Sequence, residues 1–394
     1  MVTQARTTGL TVLFCGATGR LVALTALLLS CGHRVLAATR DPASSAGRRL
    51  REAGAHLVRA DFDDPASLRA AAAQADAIVA AGTAHAAGPA ADARHGRNII
   101  DAARAARIGH LVYITVAGAS QPTGVPIIDS KHAVEQHLRG SGVPYTIIAP
   151  VYFMENVWNP WNQAALAAGR WPSPVTRSRL LQQIPLADVL AFTVHVLQSR
   201  DIMLDQRIEI ASDQLTANQA AAAITALLGR LVAVAEPPSA QMNPLSAWLE
   251  HAGPAVDITA LRQRYPHIGW HTFADWAAAQ DWHRLLRPRR SRSLAGDGAH
   301  TGAGADRGWA SRYQCPVRVR PPCGVWPVSQ RASATIWTTS AIQEPAITVT
   351  SSARTAVDQP DDRSNGNTCQ MPMAASSPIP VVTRSPSDFS HGGS

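Results

Sequence analysis

The 394-residue sequence predicts an α/β protein: a doubly wound parallel sheet, a smaller and mostly helical C-terminal domain, and a disordered tail. Three observations predict it. Apolar, strand-like runs alternate six times with helix-like segments between residues 11 and 150. The first run, Thr11 to Cys15, turns through Gly16-Ala17-Thr18-Gly19 into an apolar helix. After Trp282 the periodicity ends, and Ser, Thr, Pro, Gly and Arg take over.

Each element has its own signal. Leu21 to Leu29 reads as the first helix. Arg34 to Thr39 is the second strand, followed by a helix over about 44–53 that Gly54 stops. His56 to Ala60 is the third strand, and Asp64-Pro65 opens a helix near 65–75, an acid before proline being a helix start. Asp76 to Ala81 is the fourth strand, ending at Gly82, with a helix from about 91 to 107 beyond it. His110 to Val116 and Val143 to Ala149 are the fifth and sixth strands, with a helix near 130–141 between them. The domain boundary is expected at 150. From 151 to 287 an aromatic loop with Trp158, Trp161 and Trp171 leads into a domain that closes over the first, and 288–394 is read as the tail.

Composition excludes several classes. Hydrophobic residues make up 46% of the chain, enough for a core, and charged residues only 16%. The formal charge is +8, but residues 288–394 hold 11 Arg against 7 acids. The remaining charge is too scattered to argue for nucleic acid. The five cysteines have neither metal-ligand spacing nor a disulfide framework, so no metal is expected. The run at 21–31 is too short to cross a bilayer, and no leader is recognised before residue 11, so the expected compartment is the cytoplasm.

Candidate site residues gather where the strands end. A strand turning through Gly16 and Gly19 into a helix offers free N–H groups and a positive dipole end to a pyrophosphate, with Ala17, Thr18, Arg20 and Leu21 around it. Arg40, at the end of the second strand, stands where the 2′-phosphate of NADP is bound, although Asp41 beside it allows NAD(H), and a surface role is the plainer alternative. Asp61 and Phe62 bracket an adenine, or else serve as a helix cap and a core ring. Ala81, Gly82 and Thr83 are small enough for a ribose to lie across. Lys131 is the sole lysine among 36 Lys and Arg residues, which marks either a place that a planar guanidinium cannot fill or a chance survival. The tyrosine that would precede a catalytic lysine by four residues is absent, its place taken by Ile127.

Gly16-Ala17-Thr18-Gly19, Arg40-Asp41-Pro42, Asp61-Phe62-Asp63-Asp64 and Ser130-Lys131-His132-Ala133-Val134-Glu135 together resemble the NmrA-like branch of the atypical short-chain dehydrogenases. Pro144 to Pro150, Phe153-Met154-Glu155-Asn156, Leu186-Ala187-Asp188-Val189 and Phe273-Ala274-Asp275-Trp276 extend the likeness over about 9–286. The resemblance implies an NADP-preferring Rossmann domain, a cofactor cleft bordered by Tyr152, and a Lys131 that touches the nicotinamide ribose. It also implies one of two functions: an NADPH-dependent reductase of a small aromatic or quinone-like compound, or a non-catalytic redox sensor with a protein partner. Val22 replaces the turn's third glycine, a departure expected to weaken nucleotide binding.

Overall fold

Along β1 (Thr11–Cys15) successive side chains enter two different cores: Val12 and Phe14 face one, Leu13 and Cys15 the other. A strand buried on both faces needs helices on both sides, and that requirement sets the architecture. The computed structural model describes residues 9–235 and 242–282, all within one compact unit. The tail expected at 288–394 lies outside the described residues.

After β1 the chain runs through α1 (Ala23–Ser30), β2 (Arg34–Thr39), α2 (Ser45–Glu52), β3 (His56–Arg59), α3 (Pro65–Ala72) and β4 (Ala77–Ala81). It continues through α4 (Ala84–Ala87), α5 (Pro89–Ala105), β5 (His110–Ile114), α6 (Pro126–Arg139) and β6 (Tyr145–Pro150). Then come β7 (Tyr152–Phe153), α7 (Gln163–Ala167), β8 (Arg170–Pro172), β9 (Leu180–Ile184), α8 (Leu186–Gln198), α9 (Arg200–Met203) and β10 (Gln206–Ile210). The last elements are β11 (Asp213–Thr216), α10 (Ala217–Leu228), β12 (Ala233–Ala235), α11 (Pro244–His251), α12 (Ile258–Arg264) and α13 (Phe273–Ala278).

Seven parallel strands form the main sheet in the order β10-β6-β5-β4-β1-β2-β3. The order reverses direction between β1 and β4, and in open α/β sheets that is where a ligand crevice forms. Leu24, Leu28 and Leu50 of α1 and α2, with Val189 and Phe192 of α8, cover one face. Leu68, Ile99, Ile100, Val134 and Leu138 of α3, α5 and α6 cover the other. Both β10 and α8 come from beyond residue 150, so the boundary expected there cuts through the sheet layer. A further core lies outside it, where Trp158, Trp171, Phe273, Trp276 and Trp282 pack with α10, the Trp158 and Trp282 rings 4.9 Å apart.

Local chemistry sets the helix starts that matter here. Asp64 Oδ1 accepts from the Ala66 and Ser67 amides at the head of α3, as the Asp-Pro pair predicts. The first helix begins at Ala23, two residues later than expected, because residues 16–22 are spent on turns closed by Gly19 N to Gly16 O and Val22 N to Gly19 O. Helix α6 starts at Pro126, about four residues early. Proline suits its first position, and the Asp129 carboxylate accepts from Thr123 N, Thr123 Oγ1 and Gly124 N at 2.7–3.0 Å, fastening the incoming loop. Ser130 and Lys131 therefore sit in the second turn of α6, buried.

Candidate functional site

Lys131 is 7% exposed and Asp92, on α5, only 1%. The Lys131 ammonium donates to both Asp92 oxygens at 2.6 Å. Ser130 Oγ donates to Asp92 Oδ2 at 2.9 Å, and the Thr83 amide to Oδ1 at 2.5 Å. A buried carboxylate that accepts these four hydrogen bonds from three groups is a satisfied anion, and it supplies the counter-charge that a buried ammonium requires. Burial pulls the Lys131 pKa below the ordinary lysine value, while the charge and hydrogen bonds of Asp92 push it back up.

Gly82 ends the strand β4 beneath this pair. A Cβ there would overlap the Lys131 ammonium, so glycine is what lets the lysine lie across the backbone. On the other side of Ala81 stands the glycine turn. Gly16 has φ +127°, a conformation that L side chains rarely adopt, and a Cβ on it would sit 3.6 Å from Ala81 Cβ. The turn, Ala81, Gly82 and Lys131 thus form a continuous line at the carboxyl ends of β1 and β4. Ala17 and Leu21 are buried in the core beneath the turn, and Thr18 is exposed above it. Val22 is half-buried and packs against the core that α1 covers.

The other expected site residues are placed as follows. Arg20 reaches away from the turn: Nη1 donates to Asn156 Oδ1 at 2.6 Å and Nη2 to Asn159 Oδ1, both on the segment after β7. Arg40 is exposed just past β2, and Asp41 Oδ1 accepts from the Ala43 amide within the loop to α2. Asp61 Oδ1 accepts from Asp63 N at 3.0 Å, and Asp64 rather than Asp61 caps α3. Phe62 packs beside the second core with its ring edge-on to His95, 5.7 Å between centroids. Thr83 Oγ1 lies 2.9 Å from His95 Nδ1. Ile127 is half-buried in a small cluster with Val125 and Ile128. Thr115, at the carboxyl end of β5, is buried, and its hydroxyl has no partner among the described residues.

Tyr152 borders an apolar hollow lined with Met154, Trp171, Val175, Gln183 and Leu215. Burial pushes its phenol up to about 12, against the nearby Arg20 charge and a hydrogen bond with Asn156. Glu155 is buried at the head of α8, accepting from Leu186 N and Trp276 Nε1 at 3.1 Å, and burial raises its carboxyl to about 7.

Sequence reasoning missed Asp92. The only signal was an acid in the first turn of a helix, which ordinarily means a favourable dipole interaction and nothing more. Among the described residues no three His, Cys, Asp or Glu side chains are placed to hold a metal ion, and no helix is long and apolar enough to cross a membrane.

Solved structures share the fold. An NADPH-dependent quinone oxidoreductase from Escherichia coli, QOR2, crystallised with NADPH, superposes with a TM-score of 0.58 at 22% identity over 68% of this chain and 98% of its own. NmrA, a negative transcriptional regulator crystallised with NADP, gives 0.58 at 18% identity over 70% and 99%. The triphenylmethane reductase of Citrobacter sp. gives 0.55 at 18% over 68% and 100%. The model of the NmrA-like family matches residues 8–250. With that match, and with the glycine turn and the Ser130-Lys131 block standing on one sheet edge, the chain belongs to the NmrA-like family.

Proposed function

We propose that this protein is an NADP(H)-dependent reductase of a small quinone-like or aromatic compound. The observation that carries the reading is the buried Lys131 ammonium, held across Gly82 in line with the glycine turn. The residues present fit a dinucleotide. Gly16 supplies the left-handed turn below a helix start, and the orphaned Thr115 hydroxyl is a buried polar atom suited to a ligand group. The turn from Gly16 to Leu21 would hold the pyrophosphate, Arg40 the 2′-phosphate in preference to NAD(H), and Asp61 and Phe62 the adenine. Ala81, Gly82 and Thr83 would lie along a ribose.

A reduced nicotinamide supplies a hydride when bound. Lys131 orients the ribose beside it and provides the proton that a reduced carbonyl or quinone oxygen needs, in place of the missing tyrosine. Tyr152 and Trp171 border the hollow that would exclude water from an aromatic substrate. The known activity of the quinone oxidoreductase with this fold is consistent with the reading. The test is to follow NADPH oxidation with a panel of quinones and enones: consumption above background in one of them is expected, and none in any would overturn the reductase.

One observation favours a second reading, a redox sensor of the NADP/NADPH ratio. Arg20 ties the glycine turn to Asn156 and Asn159, so a nucleotide drawing on Arg20 would alter the segment 154–159. The sensor predicts nucleotide affinity without turnover and a protein partner whose binding follows the nucleotide's redox state.

A further inference from the structure

This inference rests on the reductase reading. Lys131 is buried, and each proton it delivers must be replaced from water.

We propose that Asp92 is the positioning residue of Lys131, and that Thr83 and His95 connect the pair to the surface carboxylate of Asp63 as a proton path. The groups stand in series, the Thr83–Asp92 contact being the longest and His95 Nε2 buried within ion-pair distance of Asp63 without a hydrogen bond. Asp92 Oδ1 lies 2.6 Å from Lys131 Nζ and 3.5 Å from Thr83 Oγ1. Thr83 Oγ1 lies 2.9 Å from His95 Nδ1, and His95 Nε2 lies 3.1 Å from Asp63 Oδ2. Asp63 is half exposed and paired with Arg94 at 2.7 Å, which fixes the outer end. Phe62, edge-on to His95, holds the imidazole against the series.

The atoms balance. Lys131 Nζ gives one proton to the reduced oxygen and is left as an amine. The Asp92 carboxylate takes a proton from the Thr83 hydroxyl and passes it on to the amine. Thr83 is restored from His95 Nδ1, and His95 regains a proton at Nε2 from the Asp63 carboxyl 3.1 Å away, which takes one from water at its exposed side. One proton enters at the surface and one arrives at Nζ, and His95 is left as its Nε2–H tautomer, so the ring must return its proton to the Thr83 side before the next passage. Histidine is the residue type suited to the outer step, because its two ring nitrogens let it take a proton on one side and give one on the other.

Besides Lys131, the groups facing Asp92 are Ser130 on α6, Thr83 after β4, and the buried Tyr113 phenol on β5. The Tyr113 phenol is itself held well above its ordinary value by burial and by the charges of Asp92 and Glu135, so it stays neutral and does not compete as an acid.

Because the chain has one lysine, lysine labelled with ¹³C at Cε and ¹⁵N at Nζ gives a single side-chain probe in the full-length protein. Its titration midpoint and the exchange of its ammonium protons with water are read without nucleotide. Asp92→Asn keeps the shape but removes the charge, and is expected to lower the midpoint by about one unit or more. Asp92→Glu is expected to restore it. His95→Gln keeps a hydrogen-bonding group that does not titrate, and is expected to slow ammonium exchange several-fold with the midpoint unmoved. If Asp92→Asn does not fold, Ser130→Ala, which leaves the Asp92 charge less shared and more fully on Lys131, is expected to raise the midpoint by a smaller amount.

An unmoved midpoint in these Asp92 or Ser130 variants would overturn the positioning role. Exchange at the native rate in His95→Gln would overturn the path. An NADPH titration of the same samples reports separately on the nucleotide reading, so the two failures are distinguishable.

Discussion

A methyl group at position 82 is the smallest change that addresses the site. Gly82→Ala places its Cβ on the Lys131 ammonium, so the lysine must leave the carboxylate or the strand end must shift. Calorimetric titration is expected to show NADPH affinity reduced by about tenfold or more, equivalent to about 1.4 kcal/mol. Affinity equal to the native protein's would separate Lys131 from the nucleotide. Residue identity told much of this in advance. The solitary lysine, the glycine turn and the small residues after the fourth strand are all legible in the sequence, because each is a local property of a few positions. Asp92 is not, since its partner stands 39 residues further on and only the packing of two helices brings them together. Arg20 is a similar case: its place beside the turn is local, but its bonds to Asn156 and Asn159 cross more than 130 residues.

The contact between α5 and α6 is the element that makes the site possible. Gly96 faces Val134 there, and a Cβ on Gly96 would lie 2.6 Å from both valine methyls. Gly96→Ala is expected to cost about 1–3 kcal/mol by overpacking, read as a lower melting temperature. Adding Val134→Ala should recover part of the loss, and a double variant no more stable than the single one would mean that the strain lies elsewhere. The alternation of strands and helices up to residue 150 is legible because two periodicities, near 2 and 3.6, write it directly. The membership of β10 in the same sheet is not, because Gln206–Ile210 carries no mark of its partner, and only pairing along the free side of β6 decides it. The early start of α6 was hidden by Pro-Ile-Ile, a sequence without helical preference that tertiary packing overrides.

For the whole molecule, buried titrating groups predict a stability maximum near pH 6.5. Burial lowers His110 and His195 to about 4, so the unfolded chain binds more protons between about 4 and 6.5. Their contribution is complete above 6.5 and is lost as pH falls, roughly 3 kcal/mol for His110 alone. Glu155 works in the opposite direction: its carboxyl, raised to about 7, gives a cost that grows as pH rises from about 4.5 to 7. Two histidines outweigh one glutamate below 6.5. Above it Glu155 still acts, and the pairing of His271 with Asp188, which raises the histidine, is lost as the imidazole deprotonates. Melting temperatures from pH 4 to 9 should trace this maximum, and Glu155→Gln should flatten the alkaline limb except for the share of His271. A stability that climbs steadily to pH 9 would contradict the assignment. The central claim, a nucleotide cleft centred on Lys131, is tested most directly by calorimetric titration of the full chain with NADPH, NADP, NADH and NAD, beside Lys131→Ala. The account predicts binding that favours NADPH and weakens about tenfold or more in the variant. No binding to any of the four, or binding that the variant leaves unchanged, would contradict it.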